Sequence, residues 1–130
     1  MITKAGGYYI TFQDAQDWLN NHAESKYHLQ DESDVTWNTR NLFKDKGVED
    51  IRPVMVLHPR LKKAVLLFMT KIGPDSSSTF HKYAEYEETA RDRALKLKIL
   101  DQTGKEDKDI EWITIPDPYM DVPRRLNGEE

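Results

Sequence analysis

The sequence predicts a single α+β domain with a mostly antiparallel sheet of four or five strands. In residues 53–72, two short apolar runs flank a polar break at 58–60, which predicts a central β-hairpin. These apolar residues do not alternate with polar ones, so both faces of the hairpin should be covered, with helices on at least one side. Leu66, Leu67 and Phe68 should lie buried at its centre. Segments with helical periodicity before and after the hairpin predict the helices of this fold class.

The N-terminal part is predicted to form a short strand over Tyr8–Phe12 and a main helix over about 12–24. Thr11 and Asp14 resemble a capping box at the start of this helix. The apolar side chains that follow recur at helical spacing and define one buried stripe: Ala15, Trp18, Leu19, His22 and Ala23. Residues 26–30 are a candidate for an additional edge strand.

A short helix is predicted near residues 38–46, with Asp34 or Asn38 as its cap. Gly47 follows two lysines and suits a helix end in the left-handed conformation. Val48 is then placed to pack on the last turn of this helix.

The second main helix is predicted over about 78–94. It follows the strongest loop signal of the chain, GPDSSST at 73–79, in which Ser77 or Ser78 is a natural N-cap. Several apolar side chains then follow a helical stripe: Phe80, Tyr83, Ala84, Ala90, Ala94 and Leu97.

The pattern changes after this helix. Leu-Lys-Leu-Lys-Ile alternates with a period of two, which predicts a strand over 95–100. Its antiparallel partner would be 110–115, across a polar loop. A helix that persists to Leu100 is the alternative.

The chain length of 130 residues suits one domain, predicted at 1–115, followed by a proline-rich segment at 116–130. Three prolines favour an extended course for this segment, which we expect to be partly packed and frayed at its end. A rigid extended segment with aromatic and basic side chains suits partner contact. The candidate contact residues are Tyr119, Met120, Arg124 and Arg125. Alternatively, its apolar side chains cover the core of the domain.

Composition excludes several kinds of site. The chain has no cysteine, so disulfides, zinc-thiolate sites and cysteine nucleophiles are excluded, and a reducing cytosol is the expected location. No apolar run approaches the roughly 18 residues of a membrane span, and the first residues do not resemble a signal peptide. We therefore expect a cytoplasmic protein with no membrane partner.

The sequence carries no common catalytic or nucleotide-binding signature. It lacks GxGxxG, GxxxxGKS/T, HExxH and GxSxG. No two of its histidines have the i,i+4 spacing that holds a metal on one helix. These are His22, His28, His58 and His81. We expect no cofactor, no metal site and no catalytic residue.

The serine-rich loop offers one other kind of site. Backbone N–H groups at a helix N-terminus, with nearby hydroxyl groups, can hold a phosphate. The hydroxyl residues of the loop are Ser76, Ser77, Ser78 and Thr79. An anion site there would indicate a small-ligand or phosphate-processing enzyme, although helix capping calls for the same residues.

Charge is divided unevenly along the chain. The net charge is -4, yet residues 51–100 contain ten Lys and Arg against five Asp and Glu. A patch formed by these cations could bind nucleic-acid phosphates. Its members would be Arg60, Lys62, Lys63, Arg91, Arg93, Lys96 and Lys98. The sequence pI of about 5.6 lies below the values typical of dedicated nucleic-acid binders.

These observations favour a non-enzymatic protein-binding domain. A small bacterial or phage accessory protein that inhibits or neutralises a partner protein has this profile of size, charge and cysteine content. A nucleic-acid-associated protein is the alternative, and a small-ligand or phosphate-processing enzyme is the third possibility.

Overall fold

Four strands form one antiparallel sheet in the residues that this computed structural model describes, which are 2–20, 32–75, 83–116 and 118. The strands are β1 (Ile2–Ile10), β2 (Arg52–His58), β3 (Lys63–Asp75) and β4 (Glu111–Pro116). Their order across the sheet is β2-β3-β1-β4. The helices are α1 (Phe12–Asn20), α2 (Glu32–Asp45) and α3 (Ala90–Thr103). The predicted α+β fold class is confirmed.

β2 and β3 form the predicted hairpin, which closes at the pair His58 and Lys63. β3 lies between β2 and β1, whereas β2 is the edge strand among those described. Leu66, Leu67 and Phe68 are fully buried, as predicted. Of the two hairpin strands, only β3 therefore lies in the interior of the sheet.

β1 is longer than the predicted strand over Tyr8–Phe12 and pairs with both β3 and β4. It includes two glycines, a residue type that usually weakens a strand. A Cβ atom at Gly7 would lie 2.2 Å from the carbonyl oxygen of Phe68, and one at Gly6 would lie 3.2 Å from the Trp112 ring. A side chain at either position would crowd these neighbouring groups, which explains why both residues are glycine.

α1 begins as predicted. The backbone N–H of Asp14 donates to Thr11 Oγ1 at 3.2 Å, which caps the first turn. Ala15, Trp18 and Leu19 form its buried side. The end of the predicted helix and the candidate strand over 26–30 lie outside the described residues.

α2 starts earlier than predicted and, with 14 residues, is not a short helix. Asp34 and Asn38 lie within it rather than at its cap. Its end is as predicted, because Gly47 has a left-handed φ of 74°. The N–H of Val48 donates to Phe43 O at 2.9 Å, which satisfies a carbonyl of the last turn.

The predicted helix over 78–94 is wrong for the described residues 83–89, which are not helical. α3 begins only at Ala90. Thr89 and Asp92 form its capping box, in which each side chain accepts from the backbone N–H of the other residue. The serines proposed as caps lie outside the described residues.

The predicted strand over 95–100 is also wrong, and the alternative of a helix through Leu100 is correct. Leu95 and Ile99 are buried four residues apart on one side of α3, while Leu97 is 66% exposed. The partner of β4 is β1 instead.

Both faces of the sheet are buried, as the unbroken apolar runs predict. On one face, side chains of the sheet such as Tyr8 and Phe68 pack with residues from all three helices. The other face carries a second cluster to which none of these helices contributes. Its members are Ala5, Val54, Val56, Val65, Leu67, Met69, Ile113 and Ile115.

Candidate partner-binding surface

α2 turns one row of side chains toward the core and another toward solvent. Val35 and Phe43 are buried, whereas Trp37 is 61% exposed. Arg40 and Lys44 follow Trp37 by three and seven residues and therefore lie on its side of the helix. A large aromatic side chain is thus exposed beside two cations.

A hollow of about 230 Å³ lies next to this row, between the C-terminal half of α2 and the start of β2. Phe43, Val48 and Ile51 are buried and supply apolar lining. The complete lining is Arg40, Phe43, Lys44, Val48, Glu49, Ile51, Arg52 and Pro53. We refer to this hollow together with Trp37 as the Trp37 surface.

Local backbone features hold the two sides of the hollow together. The left-handed turn at Gly47 brings Val48 back against the helix end. Arg40 donates to Pro53 O from Nε at 3.4 Å and from Nη2 at 3.0 Å, which ties α2 to β2. The hollow is therefore preformed rather than dependent on a ligand.

The start of β2 is poorly suited to strand addition. Pro53 has no backbone N–H to donate, and its carbonyl already accepts from Arg40. A partner at this place would have to contact side chains rather than extend the sheet.

The rim of the hollow is basic on a chain that is acidic overall. It carries Arg40, Lys44 and Arg52 against Glu49. Across the described ranges, none of these three cations forms an ion pair. Their charge is therefore available to an anionic group of a partner.

Sequence reasoning did not identify this surface. With Asn38 as its cap the predicted helix near 38–46 excludes Trp37, whereas with Asp34 as its cap it includes Trp37, so the sequence left the position of Trp37 relative to Arg40 and Lys44 open. With the helix starting at Glu32, the spacing places Trp37 opposite Val35, which would have predicted exposure.

Two of the sites predicted from sequence lie outside the described residues and stay predictions. One is the anion site at Ser76, Ser77, Ser78 and Thr79. The other is the partner contact at Tyr119, Met120, Arg124 and Arg125. His22, His28 and His81 also lie outside.

Of the cations proposed to bind nucleic acid, those on α3 mostly contact groups within the protein. Arg93 contacts Glu88 at 3.3 Å and Asp107 at 3.5 Å. Lys96 is buried and contacts Asp107 at 2.9 Å. These pairs reduce the positive field that α3 presents to a phosphate backbone.

The remaining proposed cations differ in their contacts. Lys98 contacts Asp50 at 3.3 Å, and Arg91 donates to Thr70 O at 3.3 Å. On the hairpin turn, Arg60 lies 3.8 Å from the carboxylate of Glu85, a long pair between exposed side chains. Lys62 and Lys63 are exposed on the same turn. Nucleic-acid binding by these residues stays a prediction.

A buried carboxylate organises the start of α3. Asp92 is fully buried and accepts from Lys71 Nζ at 2.7 Å, from Thr70 Oγ1 at 2.8 Å and from Thr89. Burial by itself raises the pKa of this carboxyl, but the hydrogen bonds from Lys71, Thr89 and Thr70 outweigh it and hold the pKa at about 2. Asp92 therefore stays ionised and paired.

Segment 83–89 is fastened to the sheet beside this carboxylate. Tyr86 N donates to Thr114 Oγ1 at 2.8 Å, and Trp112 Nε1 donates to Tyr86 O at 2.9 Å. The hydroxyl of Tyr8 donates to Glu88, and burial followed by this hydrogen bond raises the pKa of Tyr8. Because these groups satisfy one another, we interpret them as structural.

His58 holds the hairpin turn. It is buried, and its Nδ1 accepts from the backbone N–H groups of Arg60 at 3.1 Å and Leu61 at 3.0 Å. Burial lowers the pKa of His58, and the neighbouring charge of Arg60 lowers it further. The imidazole is therefore neutral, with its proton on Nε2.

The described residues contain no group of three or more His, Asp or Glu side chains placed to hold a metal ion. None of the helices in these ranges is long and apolar enough to cross a membrane. Comparison with protein-family models, with curated proteins and with solved structures finds no match to the chain.

Proposed function

We propose that the chain is a non-enzymatic protein-binding domain that contacts its partner through the Trp37 surface. The observation that carries this proposal is the 61% exposure of Trp37 beside a preformed apolar hollow. Tryptophan and arginine dominate the energetically important positions of protein interfaces, and Arg40 adjoins Trp37 on the helix. When a partner covers an exposed tryptophan, the removal of its apolar surface from water stabilises the complex.

The size of the hollow supports a protein partner over a small ligand. Its volume of about 230 Å³ lies below the roughly 300–1,000 Å³ of typical small-molecule sites. A hollow of this size suits an anchoring side chain of a partner. Its preformed walls lower the entropy lost on docking.

The proposal extends to the class of protein. A small, acidic, cysteine-free chain suits a bacterial or phage accessory protein that inhibits or neutralises a partner. The lack of cysteine favours a cytoplasmic location.

The test is comparative affinity capture from a lysate of the source organism, with and without nuclease treatment. The baits are the tagged wild type, Trp37→Ala and Leu97→Ala, each verified as folded by circular dichroism. Leu97 is the matched control because it is an equally exposed apolar residue on another helix. We expect quantitative mass spectrometry to find a partner with the wild type and Leu97→Ala but not with Trp37→Ala.

Equal capture by all three baits would overturn the assignment of the Trp37 surface. A partner that is lost from all three only when nuclease is added would favour the nucleic-acid alternative. That alternative is supported by the exposed cations Arg60, Lys62 and Lys63 on the hairpin turn. Its direct test is binding of labelled DNA and RNA at low ionic strength, and undetectable binding there would remove it.

A further inference from the structure

We propose that the Trp37 surface recognises an acidic segment of the partner protein, from which one large apolar side chain enters the hollow. This inference rests on the proposed function and specifies the chemistry of the partner. It combines two features of the same place: an apolar lining and a basic rim.

The first argument is the contrast between the cations at the rim and three cations of α3. Arg93, Lys96 and Lys98 on α3 all contact carboxylates within the protein. At the hollow, by contrast, Lys44 and Arg52 are exposed and form no ion pair with any described residue. Unpaired cations gathered around one hollow are complementary to an anionic partner.

The second argument concerns the geometry that Arg40 can offer. A guanidinium has five N–H groups, and those that Arg40 gives to Pro53 come from Nε and Nη2. This anchorage holds the side chain in place and leaves N–H groups for a carboxylate. Arginine held in this manner binds a planar carboxylate with little further loss of conformational freedom.

The third argument selects a protein segment over nucleic acid. A nucleic acid would satisfy the cations and stack a base on Trp37, but it supplies no apolar side chain to fill the hollow. Val48 and Ile51 supply the aliphatic lining of this hollow. An acidic peptide with an apolar anchor satisfies both the lining and the rim. Because Pro53 disfavours strand addition, recognition would depend on side chains.

The test is site-specific photo-crosslinking from α2, combined with charge reversal. Asn41 is exposed four residues after Trp37, so Asn41→p-benzoylphenylalanine places the crosslinker beside the hollow without removing Trp37. The full-length protein is irradiated in nuclease-treated lysate of the source organism, and the crosslinked peptide is sequenced. We expect a protein segment rich in Asp and Glu that contains a large apolar residue.

Charge reversal supplies the second readout. Lys44→Glu with Arg52→Glu should lower the crosslink yield by roughly tenfold, because attraction at the rim becomes repulsion. Lys108→Glu is the matched control, since Lys108 is exposed and lies outside the hollow, and it should leave the yield within about twofold.

The outcomes separate this inference from the proposed function. A crosslinked segment that is neutral or basic, or a yield unaffected by reversal at Lys44 and Arg52, would overturn the acidic partner while leaving a protein-binding surface. A crosslink to a second copy of the chain through a segment that is not acidic would do the same. Loss of all protein crosslinks would overturn the proposed function itself.

Discussion

Lys71 Nζ lies 2.7 Å from Oδ2 of Asp92, and this ion pair joins the sheet to the first turn of α3. Asp92 is fully buried, whereas the side chain of Lys71 keeps 24% of its exposure. Thr70 and Thr89 complete the shell of donors around the carboxylate. The pair therefore fixes the capping carboxylate of α3 against β3.

Asp92→Asn should lower the free energy of unfolding at pH 7 by about 2–3 kcal/mol. This lies below the roughly 3–5 kcal/mol expected for a fully buried pair, because partial exposure lets water solvate the remaining Lys71 charge. Urea denaturation measures the change. Asp101→Asn, an exposed position on the same helix, should change it by less than about 0.5 kcal/mol. Equal effects of the two variants would contradict the role of the pair.

The same carboxylate predicts acid sensitivity. The pKa of Asp92 is about 2 in the folded protein against a usual 3.8, so the unfolded chain binds the proton more readily. This contribution, on the order of 2 kcal/mol, is complete above about pH 4 and is lost as the pH falls toward 2. The difference in unfolding free energy between wild type and Asp92→Asn should therefore shrink over this interval. A constant difference would refute the assignment of this acid sensitivity to Asp92.

His58 predicts a second pH dependence at milder acidity. Burial and Arg60 lower its folded-state pKa from the usual 6.5, and Lys63 acts in the same direction while Glu111 opposes them. Tyr9 packs its ring against the imidazole at 4.7 Å. The unfolded state then takes up the proton first, so stability should decline as the pH falls below about 6.5.

His58→Asn tests this dependence, because an asparagine oxygen can still accept from the turn N–H groups but does not titrate. Thermal melts between pH 5 and 8 should show a smaller decline on the acid side for the variant than for the wild type. Parallel curves for the two proteins would rule out His58 as the titrating group.

The core of the sheet predicts a large effect at Phe68. Phe68→Ala should lower the free energy of unfolding by about 3–5 kcal/mol, because the side chain is fully buried and stacks on Phe43 with ring centroids 5.3 Å apart. Chemical denaturation measures it. The exposed Leu97→Ala should stay within about 0.5 kcal/mol. A loss below about 1 kcal/mol at Phe68 would contradict the placement of β3 in the sheet interior.

The hairpin, the buried residues of β3 and the end of α2 could be predicted because their signals are local. An unbroken apolar run indicates burial on both faces, and Gly47 indicates a left-handed helix end. β1 could not be predicted in full, because Gly6 and Gly7 look unfavourable in a strand. Glycine is needed at both positions because Trp112 and Phe68 approach them closely, which only the tertiary structure shows.

α3 shows a different reason for failure. The alternation of leucine and lysine over 95–100 favours a strand as a local pattern, yet the segment is helical. Tertiary contacts decide it, because Leu95 and Ile99 reach the core while Lys96 reaches Asp107. The Trp37 surface depended on a helix boundary too, since Trp37 aligns with Arg40 and Lys44 only if the helix includes it.

The central claim is that a protein partner covers Trp37, and acrylamide quenching of tryptophan fluorescence tests it most directly. Trp18 is buried and Trp112 half-buried, so the component present in wild type and absent in Trp37→Phe reports on Trp37. That component should be quenched readily in the free protein and become protected when the captured partner is added to saturation. Unchanged quenching of this component at saturating partner would contradict the claim.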